Sequence, residues 1–283
     1  MKCIFIYIEG TESLGFRVFA GVLCSFFFVF CIVHMLRLRT SRAVSYGASF
    51  RRRTAVFPFS AQAELQETPS PSSSPEENIQ TIFSYHEKTK HTTEKYSDSP
   101  EGLKWEDQPR AFRRYKGATD SSLRHLPPIY GINTDQQYSR SFSEFVNPCI
   151  LTKASVSQLL YDSFSVEVWK QAGDVKWPLR VNPSCGNLHP TEVYVICPPL
   201  AGVGDSPFIA HYHSKIHSME IRAEVPADLW KDLTKGFPPG TMFVCFSSIF
   251  WRQAWKYGDR GYRYCELDIG HAIGSVTMAG AAM

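Results

Sequence analysis

The chain has no C-x-x-C pair among its eight cysteines (positions 3, 24, 31, 149, 185, 197, 245 and 265), no N-x-[ST] acceptor, no internal repeat and no heptad run. Eight cysteines in 283 residues, most of them in apolar runs such as Val195-Ile196-Cys197 and Phe243-Val244-Cys245, are too dilute for a stapled secreted module and read as buried free thiols. The missing glycosylation acceptor argues weakly against a secretory route. No G-x-G-x-x-G, Walker loop, G-x-S-x-G elbow or H-E-x-x-H helix occurs either. NAD-type Rossmann enzymes, P-loop NTPases, α/β-hydrolases and zincins are therefore without support. Net charge is only +3, and it is uneven: residues 1–60 carry +6 and the remaining 223 carry −3. A slightly acidic main body argues against nucleic acid as the partner.

What is present is an ordinary globular composition, 43% hydrophobic and 20% charged, in a chain long enough for one large domain or two small ones. The first 63 residues stand apart as a leader. Val18 to Leu36 is almost wholly apolar and long enough to cross a bilayer, which reads as a membrane anchor over residues 18–36 with the following arginines on the cytoplasmic side. The rival reading begins at Met35: six Arg, several Ser and Thr and no acid before Glu64 make an organelle transit peptide, mitochondrial or plastid. Residues 64–78 (ELQETPSPSSSPEEN) are a solvated Pro/Ser/Glu linker, and residues 79–283 form the folded body.

Within the body, 79–91 reads as a short helix, and the turn-rich stretch 92–147 as an extended arm. Thr152 caps a helix whose apolar period runs through Val156, Leu159, Leu160, Phe164 and Val168. Strands are expected at 193–197, 208–212 and 241–247, a helix at 226–235 and a last helix from Tyr262 to Met283. Helices and strands mix without regular βαβ spacing, which favours an α+β fold.

Three constellations can carry chemistry. Arg180 to Pro190 (RVNPSCGNLHP) puts Gly186 between Ser184 and Asn187, where backbone can approach a flat ligand and Arg180 can meet an anion; an ordinary turn is the alternative. Trp251 to Tyr264 (WRQAWKYGDRGYRY) interleaves four cations with five aromatics. That segment suits a single-stranded nucleic-acid platform, a cradle for a phosphorylated aromatic cofactor, or plain surface stacking. His211, His213 and His217 are either metal ligands on one strand face or packing residues, with no acid at ligand spacing nearby. Asp268 and His271 lie three apart on the last helix, as an acid–base pair or a buried structural pair.

Taken in order, Tyr85-His-Glu-Lys-Thr-Lys-His91, the NPSCGNLHP of 182–190, and WKYGDRGYRY at 255–264 followed by DIGH at 268–271 resemble the nitroreductase superfamily, closest to its SagB-type, azoline-oxidase-like branch. Pro207 to Ile221 resembles that branch's strand–turn–strand, which gives the histidines a structural reading. The resemblance covers about residues 79–283. It implies an α+β, FMN-binding fold, working as a homodimer or fused pseudo-dimer, on a small-molecule or peptide substrate and with NAD(P)H as one electron source. Pro183, Ser184, Gly186 and Asn187 would lie along the isoalloxazine ring, with Arg180, Arg260 and Arg263 as further cofactor-binding residues. Lys256 and Tyr257 match the catalytic pair, the lysine taking a proton from substrate carbon while hydride passes to the flavin. A desolvated lysine with cationic neighbours serves as such a base, and Arg260 and Arg263 would be those neighbours. The family continues through further strands and a late basic residue beyond the point corresponding to Met283, so the resemblance implies a truncated domain. A catalytically inactive truncated module, or a single-stranded nucleic-acid-binding protein, are the alternatives.

Overall fold

The computed structural model describes residues 74–123 and 149–283, with two short strands nearer the N-terminus. The chain divides into two units, residues 1–26 with 99–283, and residues 27–98. Among the described residues of the second unit the main element is α1 (Pro75–Thr89). The sequence places this helix at 79–91. It begins four residues earlier because Ser74, Pro75 and Glu77 form a complete N-terminal device. Ser74 Oγ accepts from Glu77 N–H, Glu77 Oε2 accepts from Ser74 N–H, and Pro75 sits where no amide donor is needed. The last residues of the expected linker are therefore helical.

The first unit is built on one antiparallel sheet of order β2-β1-β9-β6-β7-β8-β3. Its strands are β1 (Phe5–Ile8), β2 (Phe19–Gly21), β3 (Thr119–Ser122), β6 (Thr191–Cys197), β7 (Phe208–His213), β8 (Ser218–Glu224) and β9 (Met242–Ser248). Strand β6 shows why the sheet holds: it alternates. Val193, Val195 and Cys197 face one core with Val244 and Phe246 of β9, while Ile196 faces another with Phe243 and Cys245. The first core is closed by α2 (Lys153–Phe164) and α5 (Gly261–Ala281) through Leu159, Leu160, Phe164, Ile269, Ala272 and Val276. The second is covered by α3 (Ala227–Leu233), with Leu229, Trp230 and Leu233 packed on it. Helices laid on an antiparallel sheet give the expected α+β class.

Four details depart from the sequence reading. The Thr152-capped helix stops at Phe164 rather than running through Val168, because Ser165 turns extended and Val166–Ala172 pairs with Val175–Arg180 as a separate hairpin, β4 and β5. Val166, Val168 and Val175 favour strand, and Gly173 takes the left-handed conformation that the turn requires. The arm at 92–147 contains a strand, β3, paired with β8. The 251–264 segment, where the sequence reading places no helix before Tyr262, holds α4 (Phe250–Tyr257), which ends at Gly258 (φ 54°) before α5 begins at Gly261. Lastly, β1 and β2 draw short pieces of the leader to the sheet edge beside β9. Of the apolar run 18–36, only Phe19–Gly21 is described, and it is strand; the rest, with the transit-like 35–63, lies outside the described residues. Among those residues, no helix is long and apolar enough to cross a membrane.

Candidate functional site

The register of two neighbouring strands makes the site. In the β6–β9 pair Thr191 lies opposite Ser248, so the start of β6 and the end of β9 share one end of the sheet. The loop entering β6 and helix α4 leaving β9 are thereby neighbours, and Ile249 N–H donates to Pro190 O at 2.8 Å to seal the corner. The loop is itself tightly built. Asn187 (φ 58°) and His189 (φ 46°) both take left-handed backbone. Asn187 Nδ2 donates to Pro178 O at 2.9 Å, and His189 N–H donates to Ser184 Oγ at 2.9 Å.

Gly186 is where loop and helix touch. It is also left-handed (φ 64°), and a Cβ placed there would stand 2.5 Å from Tyr257 Oη and 3.2 Å from Lys256 Nζ. Only a glycine permits that approach. Four of the expected site residues, Ser184, Gly186, Lys256 and Tyr257, thus form one lip, on which Pro183 and Gly186 are exposed and Lys256 and Tyr257 half-buried. Lys256 has no ion pair with a carboxylate among the described residues; its ammonium lies 5.6 Å from the centre of the Tyr257 ring. Burial and a hydrogen bond with the Cys185 thiol push the Tyr257 hydroxyl well above its usual range. At neutral pH that hydroxyl remains protonated and can donate.

The arginines behave differently. Arg260 is buried, donates to Ser99 Oγ and, at 3.2 Å, to Tyr264 Oη, and lies against the Tyr257 and Tyr264 rings. Both of its amino groups are engaged by the protein. Arg180, 8% exposed, donates through Nη2 to Ala111 O at 2.6 Å and covers the Phe112 ring, while its Nε has no partner. Burial lowers Arg180 to about 10, against the pull of Glu192. Arg263 is half-buried on α5.

Behind the lip lies a buried polar chain that the sequence does not announce. Arg252 Nη1 donates to Glu192 Oε1 at 2.6 Å and to His189 O at 2.5 Å. His211 then bridges two carboxylates, Nε2 to Glu192 Oε2 at 2.7 Å and Nδ1 to Glu220 Oε2 at 2.8 Å. Glu220 also accepts from Tyr115 N–H. Burial acts to raise Glu192, but the His211 hydrogen bond and Arg252 hold it below the usual carboxylate range. Carboxylates do therefore stand beside His211, delivered across the sheet by β6 and β8 rather than along the chain. They bind the imidazole itself, and no cluster among the described residues could hold a metal ion. His217 is likewise structural: its Nδ1 is 2.7 Å from Tyr212 Oη and its Nε2 2.9 Å from Ser157 Oγ. Asp268 does not hydrogen-bond to His271, which is exposed; it turns to the loop instead, accepting from Ser184 Oγ and Cys185 N–H.

The lip fits the ring end of a flavin. It supplies an exposed glycine backbone, an ammonium without an ion pair and a phenol donor, side by side. Arg260 is engaged at both amino groups, whereas Arg180 meets Ala111 O through Nη2 and keeps its Nε without a partner.

No family model matches the chain. A candidate nitroreductase of Methanocaldococcus jannaschii is 26% identical over 137 residues, 47% of this chain and 65% of that protein. The chain is similar to a nitroreductase over about half its length. Among solved structures, a candidate nitroreductase from Anabaena variabilis superposes with a TM-score of 0.49 at 27% identity, over 69% of this chain and 37% of that one. The Escherichia coli microcin synthetase McbBCD complex with truncated pro-MccB17 superposes with a TM-score of 0.37 at 21% identity, over 73% of this chain and 79% of that one. The chain thus spans less than two thirds of the length of either nitroreductase.

Proposed function

We propose that this nitroreductase-like chain is an FMN-dependent oxidoreductase passing hydride between a small or peptide substrate and flavin. The observation that carries the reading is the contact between Gly186 and the Lys256–Tyr257 pair, which brings the two motifs of the resemblance together on one exposed lip. Flavin, when bound, supplies the two-electron redox chemistry. The chain's residues bind and orient. The Gly186 backbone lets a planar ring lie flat, the Tyr257 hydroxyl donates a hydrogen bond, and Lys256 sits where an ammonium stabilises negative charge on a ring carbonyl or, deprotonated, takes a proton from substrate. Where a reductant is required, NAD(P)H is the donor we propose. A second copy of the chain, or a fused copy, completes the cofactor site.

The test is an FMN titration of the full chain, read by flavin fluorescence and the visible spectrum. Quenched fluorescence and shifted bands that persist through desalting support the reading. A protein that stays colourless with excess FMN overturns it, and leaves an inactive nitroreductase-like module.

A further inference from the structure

Asp268 sits where three elements meet. Its side chain is buried, and although it belongs to α5, each of its hydrogen-bond donors comes from elsewhere. Oδ1 accepts Cys185 N–H at 3.0 Å, and Oδ2 accepts Ser184 Oγ at 2.7 Å and Gln253 Nε2 at 2.8 Å. Gln253 closes the figure by donating the same amide to Cys185 O at 3.2 Å. Gln253 stands on α4 three and four residues before Lys256 and Tyr257, one helical turn away. No lysine or arginine pairs with Asp268 among the described residues, so these hydrogen bonds are what offsets the cost of burying a carboxyl group.

We infer that Asp268 is a positioning residue: it clamps the Ser184–Gly186 loop to α4 and so holds Gly186 against Lys256 and Tyr257. The choice of side chain follows from the donors. Three N–H and O–H groups converge on one point, and an ionised carboxylate is the side chain that only accepts. Asparagine there would aim its own amide hydrogens at one of them. Burial raises the Asp268 carboxyl above its ordinary value, and the three donors offset only part of that rise. Without the clamp the loop keeps its left-handed turns but loses its fixed distance to the helix. The consequence for cofactor binding rests on the flavin reading; the clamp itself does not.

The loop contains its own reporter, Cys185, half-buried and next to Gly186, where a Cβ would face Tyr257. The experiment is peptide-resolved alkylation of the full native chain by N-ethylmaleimide, comparing wild type with Asp268→Asn and Ser184→Ala. Losing a hydrogen bond to a buried charge should speed Cys185 labelling by about tenfold or more. Half-buried Cys149 and buried Cys197 and Cys245 lie away from the loop and report general loosening; their rates should stay at the wild-type level. An unchanged Cys185 rate, or a parallel rise at all four cysteines, overturns the clamp. FMN affinity is measured on the same samples. Weaker binding by both variants supports the functional consequence, and equal binding by all three proteins overturns it. If wild type binds no FMN while Cys185 alone responds, the clamp stands and the flavin reading falls.

Discussion

The Arg252 guanidinium lies 2.6 Å from the Glu192 carboxylate, and both side chains are only 4% exposed. That pair ties α4 to β6 directly behind the lip, and it extends through His211 to Glu220 on β8. A charge buried this deeply is tolerated only while its partner is present. Arg252→Met is therefore expected to lower unfolding free energy by about 3–5 kcal/mol, measured by urea denaturation, because Glu192 and the His189 carbonyl are both left wanting. Combining it with Glu192→Gln should cost less than the sum of the two single changes. A loss under about 1 kcal/mol would mean that His211 alone compensates Glu192.

The same region sets a pH dependence with a definite sign. Burial, with Arg180 and Arg252 nearby, lowers His189 from 6.5 to about 3, so the native state keeps it neutral while the unfolded chain takes up a proton. A folded value below the unfolded one gives stability that is complete above 6.5 and is lost as pH falls towards 3. Glu192, held below its ordinary 4.5, loses its contribution in the same direction but only further down the scale. Urea midpoints should therefore decline between about pH 7 and pH 5, and His189→Gln should flatten part of that slope. His213, also lowered by burial, contributes in the same direction. A slope identical in wild type and His189→Gln would contradict the assignment.

Gly186→Ala tests the contact on which the site depends. The new methyl group meets left-handed backbone, at about 1–2 kcal/mol, and the Tyr257 hydroxyl at a distance no Cβ occupies. Lower stability and weakened FMN binding are expected together. Tyr257→Phe in the same background removes the nearest clashing atom and should recover part of the stability, though the ring carbon at 3.2 Å remains. No recovery would mean that backbone strain, rather than the hydroxyl, is the obstacle.

Much of this arrangement was legible in the sequence and some was not, for physical reasons. Val193-Tyr-Val-Ile-Cys197 declares a strand by its residues, and Thr152 declares a helix start. The pairing of Thr191 with Ser248, which brings the loop and α4 together, links residues 57 apart and has no local signature. Only the resemblance joined those two motifs. Asp268 lay in plain view, but helical spacing suggested His271 as its partner, when a loop 83 residues upstream was the true one. Similarly, Glu192 and Glu220 reach His211 across the sheet, so spacing along the chain could not reveal them. The β4–β5 hairpin was missed because Val168 falls on the helical period of the preceding segment; the stop at Ser165 is a tertiary effect that the period does not encode.

Lys256 distinguishes binding from catalysis. Its ammonium has no ion pair among the described residues and lies beside the Gly186 backbone on the exposed lip. A lysine acting on substrate contributes little to holding a ring already seated on the loop. Lys256→Ala should then leave FMN affinity within a few-fold of wild type while turnover falls by about 10²–10⁴-fold, the range for loss of a general acid or base. Turnover is measured with NAD(P)H and a quinone or nitroaromatic acceptor, and FMN affinity by fluorescence. Lys256→Arg separates the two roles further, since it keeps the charge but cannot give up its proton. An arginine variant that restores turnover would make the group an electrostatic support rather than a base. Loss of FMN from both variants would move Lys256 out of catalysis altogether and into the cofactor's binding site.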